Sequence, residues 1–167
     1  NQIKVTLPLP LEDFKSPYTG SYQYYSSEGH SLNNTMSLSL TLPDSNNLQL
    51  KMKAHWDIEK DWDFARVLVN GTAIAGNHTN ATNPYTGQYE GYEDANNYIS
   101  NKSELIAGTE GDNFWVDLTF DVSAFKGQTV TLGFEYRTDT NTGGYGFVAD
   151  DIQLLDNNTQ VFFDGAE

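Results

Sequence analysis

From Leu48 to Ile58 the chain reads LQLKMKAHWDI. Leu48, Leu50, Met52, Ala54, Trp56 and Ile58 alternate with Gln49, Lys51, Lys53, His55 and Asp57. A side-chain period of two belongs to an extended strand with one face in a core and the other in water. Three further segments repeat it: Met36, Leu38, Leu40 and Leu42; Val116, Leu118, Phe120 and Val122; Val130, Leu132, Phe134 and Tyr136. No stretch carries a helical period. Half-buried strands of this kind pair antiparallel. The expected fold class is therefore all-β, a two-sheet antiparallel β-sandwich of jelly-roll type. Met52, Trp56, Val67, Leu118, Phe120, Leu132, Phe134 and Ile152 are expected in its core.

Turn chemistry separates the strands: PDSNN at 43–47, Asn70-Gly71 as a tight hairpin, and AFKGQ at 124–128. With 167 residues, 38% of them apolar, the chain can build one core. Residues 1–13, with Pro8 and Pro10, read as an extended linker, and 14–167 as a single sandwich domain. One segment breaks the rhythm. Residues 76–113 are rich in Asn, Gly and Tyr and poor in aliphatics. A connection of that length is usually functional, mobile or ordered by short strands of its own.

The net charge of −14 argues against nucleic acid as a partner, since phosphate binding needs clustered Lys and Arg, and equally against anionic membrane surfaces. No apolar run is long enough to span a bilayer. The absence of cysteine removes disulfides, thiolate metal sites and thiol nucleophiles.

Asp57, Glu59, Asp61 and Asp63 stand two apart between two apolar strands. Like charges at that spacing repel unless water, a basic neighbour or a cation intervenes. Asp57 and Glu59 belong by phase to the solvated side, although a turn after Ile58 would swing Glu59 towards Asp61. Asp63 shares its phase with Ala65, Val67 and Val69, so it faces inward. Near the C-terminus, Asp150 shares its phase with Val148, Ile152 and Leu154, with Asp151 beside it. An inward carboxylate must be hydrogen-bonded, paired or metal-bound. Two readings follow. In one, Asp61, Asp63, Asp150, Asp151 and Glu59 supply an oxygen cage for a hard cation such as calcium. In the other, Asp63 and Asp150 cap loop amides or pair with Arg66 or Arg137.

Catalytic patterns are missing. His30, His55 and His78 are scattered, with no H-E-x-x-H pair and hence no zinc site, and His55 falls on the solvated strand face. No nucleophile elbow, phosphate loop or dinucleotide fingerprint occurs. The chain by itself is expected to be non-catalytic. Tyr85, Tyr89, Tyr92 and Tyr98 lie in the polar 76–113 segment, where they read either as an aromatic platform for glycans or as loop packing.

Several stretches taken together carry a resemblance. PYTGSYQYYSSEGHSLNNTMSLSLTL, AHWDIEKDWDFARVLV, FWVDLTFDVSAFKGQTVTLGFEYRTD, GGYGFVADDIQLL and VFFDGAE resemble the β-sandwich that follows the catalytic domain in immune inhibitor A-type secreted bacterial metallopeptidases. That sandwich is similar in architecture to MAM domains and to galactose-binding-like, calcium-binding jelly-roll modules. The resemblance covers about residues 14–167. It implies an extracellular accessory domain, partnered by a zinc peptidase domain of the same parent chain and stabilised by calcium. A carbohydrate- or surface-binding module is the alternative. The family's short Asp-Gly-Gly-x-x-Trp hairpin is replaced here by the long Asn- and Tyr-rich segment.

Overall fold

The computed structural model describes residues 15–90, 95–109 and 113–167. The first thirteen residues, read as a linker, and Tyr92 lie outside the described residues. In chain order the strands are β1 (Tyr24–Tyr25), β2 (Asn33–Thr41), β3 (Leu48–Ile58), β4 (Phe64–Val69), β5 (Thr72–Ala73) and β6 (Asn80–Thr82). They continue with β7 (Asn96–Ile99), β8 (Asn101–Lys102), β9 (Val116–Asp121), β10 (Thr129–Arg137), β11 (Gly146–Asp156) and β12 (Thr159–Asp164). Two single-turn 3-10 helices, Ser103–Leu105 and Ser123–Phe125, are the only helical pieces among the described residues.

The strands form two six-stranded antiparallel sheets, as the alternation requires. In one, β11 and β3 are central; β1 and β12 flank β11, and β9 and β8 flank β3. In the other the order is β2-β10-β4-β7-β6, with β5 on β4. The inward side chains of β3 are all at most 3% exposed, and they meet Val67 and Val69 of β4 and Leu132 and Phe134 of β10 in one cluster. All eight expected core residues are buried.

The Asn70-Gly71 turn joins β4 to β5 with both residues at positive φ, 51° and 78°, the geometry of a two-residue hairpin. The β11–β12 hairpin uses the same device at Asn157-Asn158, with φ of 48° and 65°. The 76–113 segment supplies β6, β7 and β8, and it lays a small second core of Ala95, Tyr98 and Phe64 over the outer face of β4.

Two expectations from phase alone need correction. In β11 the pairing with β3 slips between Asp150 and Gln153, and Asp151 takes φ of 48°. This bulge reverses the side-chain phase. Phe147 and Ala149 face the core before it, Ile152 and Leu154 after it. Asp150 therefore stands opposite Lys53 on the sheet's outer face, fully buried beneath Tyr18 and Thr19, not inward with Ile152.

His55, expected on a solvated face, is fully buried. The rings of Phe114 and Trp115 pack edge-on against it at 5.2 and 4.7 Å, and its Nδ1 lies 2.8 Å from the Tyr145 hydroxyl. A solvated strand face became an interior one because neighbouring segments fold over it.

Burial, with the Lys15 charge nearby, lowers the His55 imidazole to about 4. Its folded value lies below the unfolded value of about 6.5. The unfolded chain thus binds the extra proton first, and stability present above pH 6.5 is lost as pH falls through 4. Acid titration of the unfolding free energy should show a loss of up to roughly 3 kcal/mol in that window. His55→Gln, which keeps a polar group beside Tyr145 but cannot titrate, should lack this component. An unchanged acid limb in the variant would contradict the assignment.

Candidate metal centre

Between the end of β3 and the start of β4 lies the turn Glu59-Lys60-Asp61-Trp62-Asp63. Its amide at Asp63 donates to the Glu59 carbonyl at 3.1 Å, and Asp61 takes φ of 65°. The 76–113 segment holds this turn. The buried Ser100 hydroxyl accepts from the Asp61 amide at 2.8 Å and shares its proton between the carbonyls of Glu59 and Asp63, each 3.0 Å away. Asn83 donates to the Asp61 carbonyl at 2.7 Å while accepting from the Tyr85 amide. The Tyr98 hydroxyl donates to Asp61 Oδ1 at 2.7 Å, and burial together with that carboxylate raises the phenol above its ordinary range.

The turn's other two carboxylates gather with one that sequence reasoning missed. Glu59, Asp63 and Asp139 each offer an oxygen, and the three lie within 4.8 Å of one another. Asp139 comes from the loop after β10. Its amide donates to Asp63 Oδ1 at 2.8 Å, and its own Oδ1 accepts from the Asn141 amide at 2.8 Å. The TDTNTGG stretch that carries it is short and polar, holds a single aspartate and ends in two glycines, which is the signal available in the sequence. Position 144 admits only glycine, since a Cβ there would overlap the Asp57 carbonyl. At Gly143 a Cβ would sit 3.4 Å from Asp63 Oδ2.

Asp63 is fully buried, and its Oδ2 has no hydrogen-bond partner; Glu59 Oε2 is buried without one as well. Burial is the main cause that pushes the Asp63 carboxyl up to about 6. The Asp139 and Glu59 charges add to it, while the Asp139 amide and His30 oppose it. Glu59 is raised by burial and then by Asp139, with His30 opposing. Two orphaned oxygens in an all-oxygen cluster of three carboxylates match what a hard divalent cation takes.

The remaining candidate residues lie elsewhere. Asp61 is turned to Tyr98. Asp150 accepts from the amides of Tyr18 and Thr19 at 2.8 and 3.2 Å and from Asp151 at 2.7 Å, and Asp151 accepts from the Thr19 hydroxyl. A single cage joining Asp63 to Asp150 is therefore corrected: the bulge carries Asp150 to the outer face of the other sheet, where it caps loop amides. Asp57, on the strand before the turn, pairs with Lys102 at 2.9 Å. Among the tyrosines, Tyr98 is buried, Tyr85 packs against Trp62 with ring centroids 4.3 Å apart, and Tyr89 is half exposed at 5.4 Å from Trp62. These rings pack into one another instead of forming a flat row.

Ser100 is the pivot of the turn. Ser100→Ala leaves the part-buried Asp61 amide without its acceptor and the Asp63 carbonyl without the hydroxyl donor it shares with Glu59, at about 1–3 kcal/mol. For a domain of this size the melting temperature should fall by roughly 2–10 °C. A melt within 1 °C of the parent would show that water replaces the hydroxyl without cost.

Comparison with known proteins bears on the same region. A family model described as "Immune inhibitor A-like, MAM domain" matches residues 1–167. The chain is 39% identical, over its whole length, to the pre-pro-metalloprotease PrtV of Vibrio cholerae serotype O1 (strain M66-2), of which it covers 17%. It is 30% identical to Immune inhibitor A of Bacillus thuringiensis subsp. alesti, over 98% of this chain and 22% of that protein. The chain thus spans about a fifth of the length of the curated relatives it matches. With the family model matched from end to end, the chain belongs to the immune inhibitor A-like MAM domain family.

Proposed function

We propose that this domain is a non-catalytic accessory β-sandwich of a secreted zinc metallopeptidase, and that it holds a calcium ion at Glu59, Asp63 and Asp139. The observation that carries the calcium reading is the fully buried Asp63 carboxylate, with one oxygen unpartnered and two further carboxylates within 4.8 Å. Support for the accessory role comes from family membership and from the small share of each relative that the domain occupies. A peptidase domain of the same parent chain is its partner in this reading, with the catalytic zinc held there.

A cation at this position ties two pieces of chain together. Glu59 and Asp63 come from the turn between the two sheets, and Asp139 from the loop after β10. Calcium supplies charge neutralisation, and the chain's own groups do the positioning: the Asp139 amide orients Asp63, and Ser100 orients the turn. The domain then acts as a rigid spacer whose stability follows extracellular calcium.

The test is a thermal melt in excess calcium and in EGTA. At a hundredfold excess over Kd, binding to the native state adds about 2.7 kcal/mol, so chelation should lower the melting temperature by roughly 5–10 °C. Asp63→Asn and Asp139→Asn should abolish the dependence, and Asp150→Asn should keep it. The sign also inverts without metal. The folded Asp63 value of about 6 exceeds its unfolded value, so this group's contribution is lost as pH rises through 6. In EGTA at pH 7.5, Asp63→Asn should therefore melt above wild type. A wild-type melt indifferent to EGTA, in protein shown to be metal-free, sinks the calcium reading.

For the accessory reading, residues 1–167 should leave casein intact with or without zinc, and the full-length parent chain should cleave it. Cleavage abolished by mutating a residue within 1–167 would contradict it.

A further inference from the structure

β2 lies at the edge of its sheet, and among the described residues it pairs with β10 alone, in a continuous register from Asn33 to Thr41. Two hydrogen bonds set the phase of that ladder. The Leu42 amide donates to the Gln128 carbonyl at 2.9 Å, and the Thr138 amide to the Leu32 carbonyl at 3.1 Å. In an antiparallel pair, hydrogen-bonded positions alternate with positions whose N–H and C=O point away. Even-numbered residues of β2 therefore bond to β10, while Thr35, Ser37, Ser39 and Thr41 turn their backbone groups to the open edge.

Edge strands are normally protected by charge, proline or a bulge. NNTMSLSLT has none of these, in a chain with a net charge of −14. Its inward residues Met36, Leu38 and Leu40 are only half buried, although they pack on the core. Beside them the sandwich opens between β1 and β2 into a cleft of about 500 Å³, lined by Tyr24, Met36, Val67, Phe134, Tyr136 and Phe147. That volume is in the range of side-chain and ligand pockets. The Tyr136 hydroxyl is buried beside it without a hydrogen-bond partner.

What lies next to this edge narrows the occupant. β1 and β12 both pair with β11 in the other sheet, and the chain leading into β1 meets the chain leaving β12 there. Tyr24 donates to Asp164 at 3.0 Å, and the Ser21 amide to the Glu167 carboxylate. In relatives this region is about a fifth of the protein, so most of the polypeptide is covalently attached to it. A tether holds such a segment at millimolar effective concentration.

We propose that β2 and the adjoining cleft dock an extended segment of the same parent polypeptide, from outside residues 1–167. The segment adds a strand to β2 through the outward groups of Thr35, Ser37, Ser39 and Thr41, and seats a large apolar side chain in the cleft. The proposal rests on the accessory-domain reading, because it requires a longer parent chain.

The test is amide hydrogen exchange in the full-length parent polypeptide and in residues 1–167, each at two concentrations. Ser37 and Ser39 should exchange roughly 100-fold or more slowly in the full-length chain at both concentrations, and should be unprotected in residues 1–167. Leu38 and Leu40, bonded to β10, should be protected in both and report that the sandwich is folded. Ser39→Pro, which removes an outward N–H and leaves the β10 ladder bonded, should reduce protection at Ser37. Equal protection in residues 1–167 would place the cover within this domain. Protection only at high concentration would make it a second copy of the chain. Fast exchange of Ser37 and Ser39 everywhere would leave the edge bare. Each of these three results overturns the proposal. Casein hydrolysis by the same full-length preparation keeps the readings separable, since an active peptidase with an unprotected β2 sinks only the docking proposal.

Discussion

One strand with an unbroken apolar face organises the molecule. β3 presents six inward side chains, from Leu48 to Ile58, and pairs with β11 on one side and with β9 and β8 on the other. Burying that face needs a second sheet, and the chain supplies it directly through a five-residue turn into β4. The turn crosses from one sheet to the other with Asp61 at positive φ. Its acidic residues are therefore placed at the rim of the sandwich by the packing of β3 and β4. The rim is where a loop from β10 can reach them.

The electrostatic consequence follows from that placement. A turn carrying Glu59, Asp61 and Asp63 would repel itself, and the structure divides the charges. Asp61 is satisfied by the Tyr98 hydroxyl, whereas the half-buried Glu59 and Asp139 gather around the fully buried Asp63. Burial of a carboxylate with an orphaned oxygen destabilises the metal-free fold, and a divalent cation would reverse the sign of the same interaction. The long 76–113 segment has a structural role in this arrangement. Ser100, Asn83 and Tyr98 all come from it, and all three hold the acidic turn.

The sandwich was legible in the sequence because period two is a local property that every core strand expresses. Residues such as Met52, Leu118 and Leu132 keep their phase from sequence to structure. Phase failed where geometry departs from a flat ladder. At Asp151 a bulge inserts one residue and turns Asp150 outward, and aspartate tolerates the required positive φ well enough to leave no break in the apolar pattern. His55 failed for a different reason: covering segments can bury a strand's second face, and nothing in the strand itself records that. Asp63 could be read as inward from its phase with Val67 and Val69. Asp139 could not be joined to it, because their contact spans 76 positions and depends on how the loop after β10 closes.

The central claim is that the acidic turn and the β10 loop form one cation site. Equilibrium dialysis against micromolar calcium, with metal counted per chain by atomic emission, addresses it directly. Wild-type protein should retain close to one calcium per chain at pH 7.5. The Asp63→Asn, Asp139→Asn double variant should retain none while remaining folded. Equal calcium in both proteins, or none in wild type at millimolar calcium, would contradict the account.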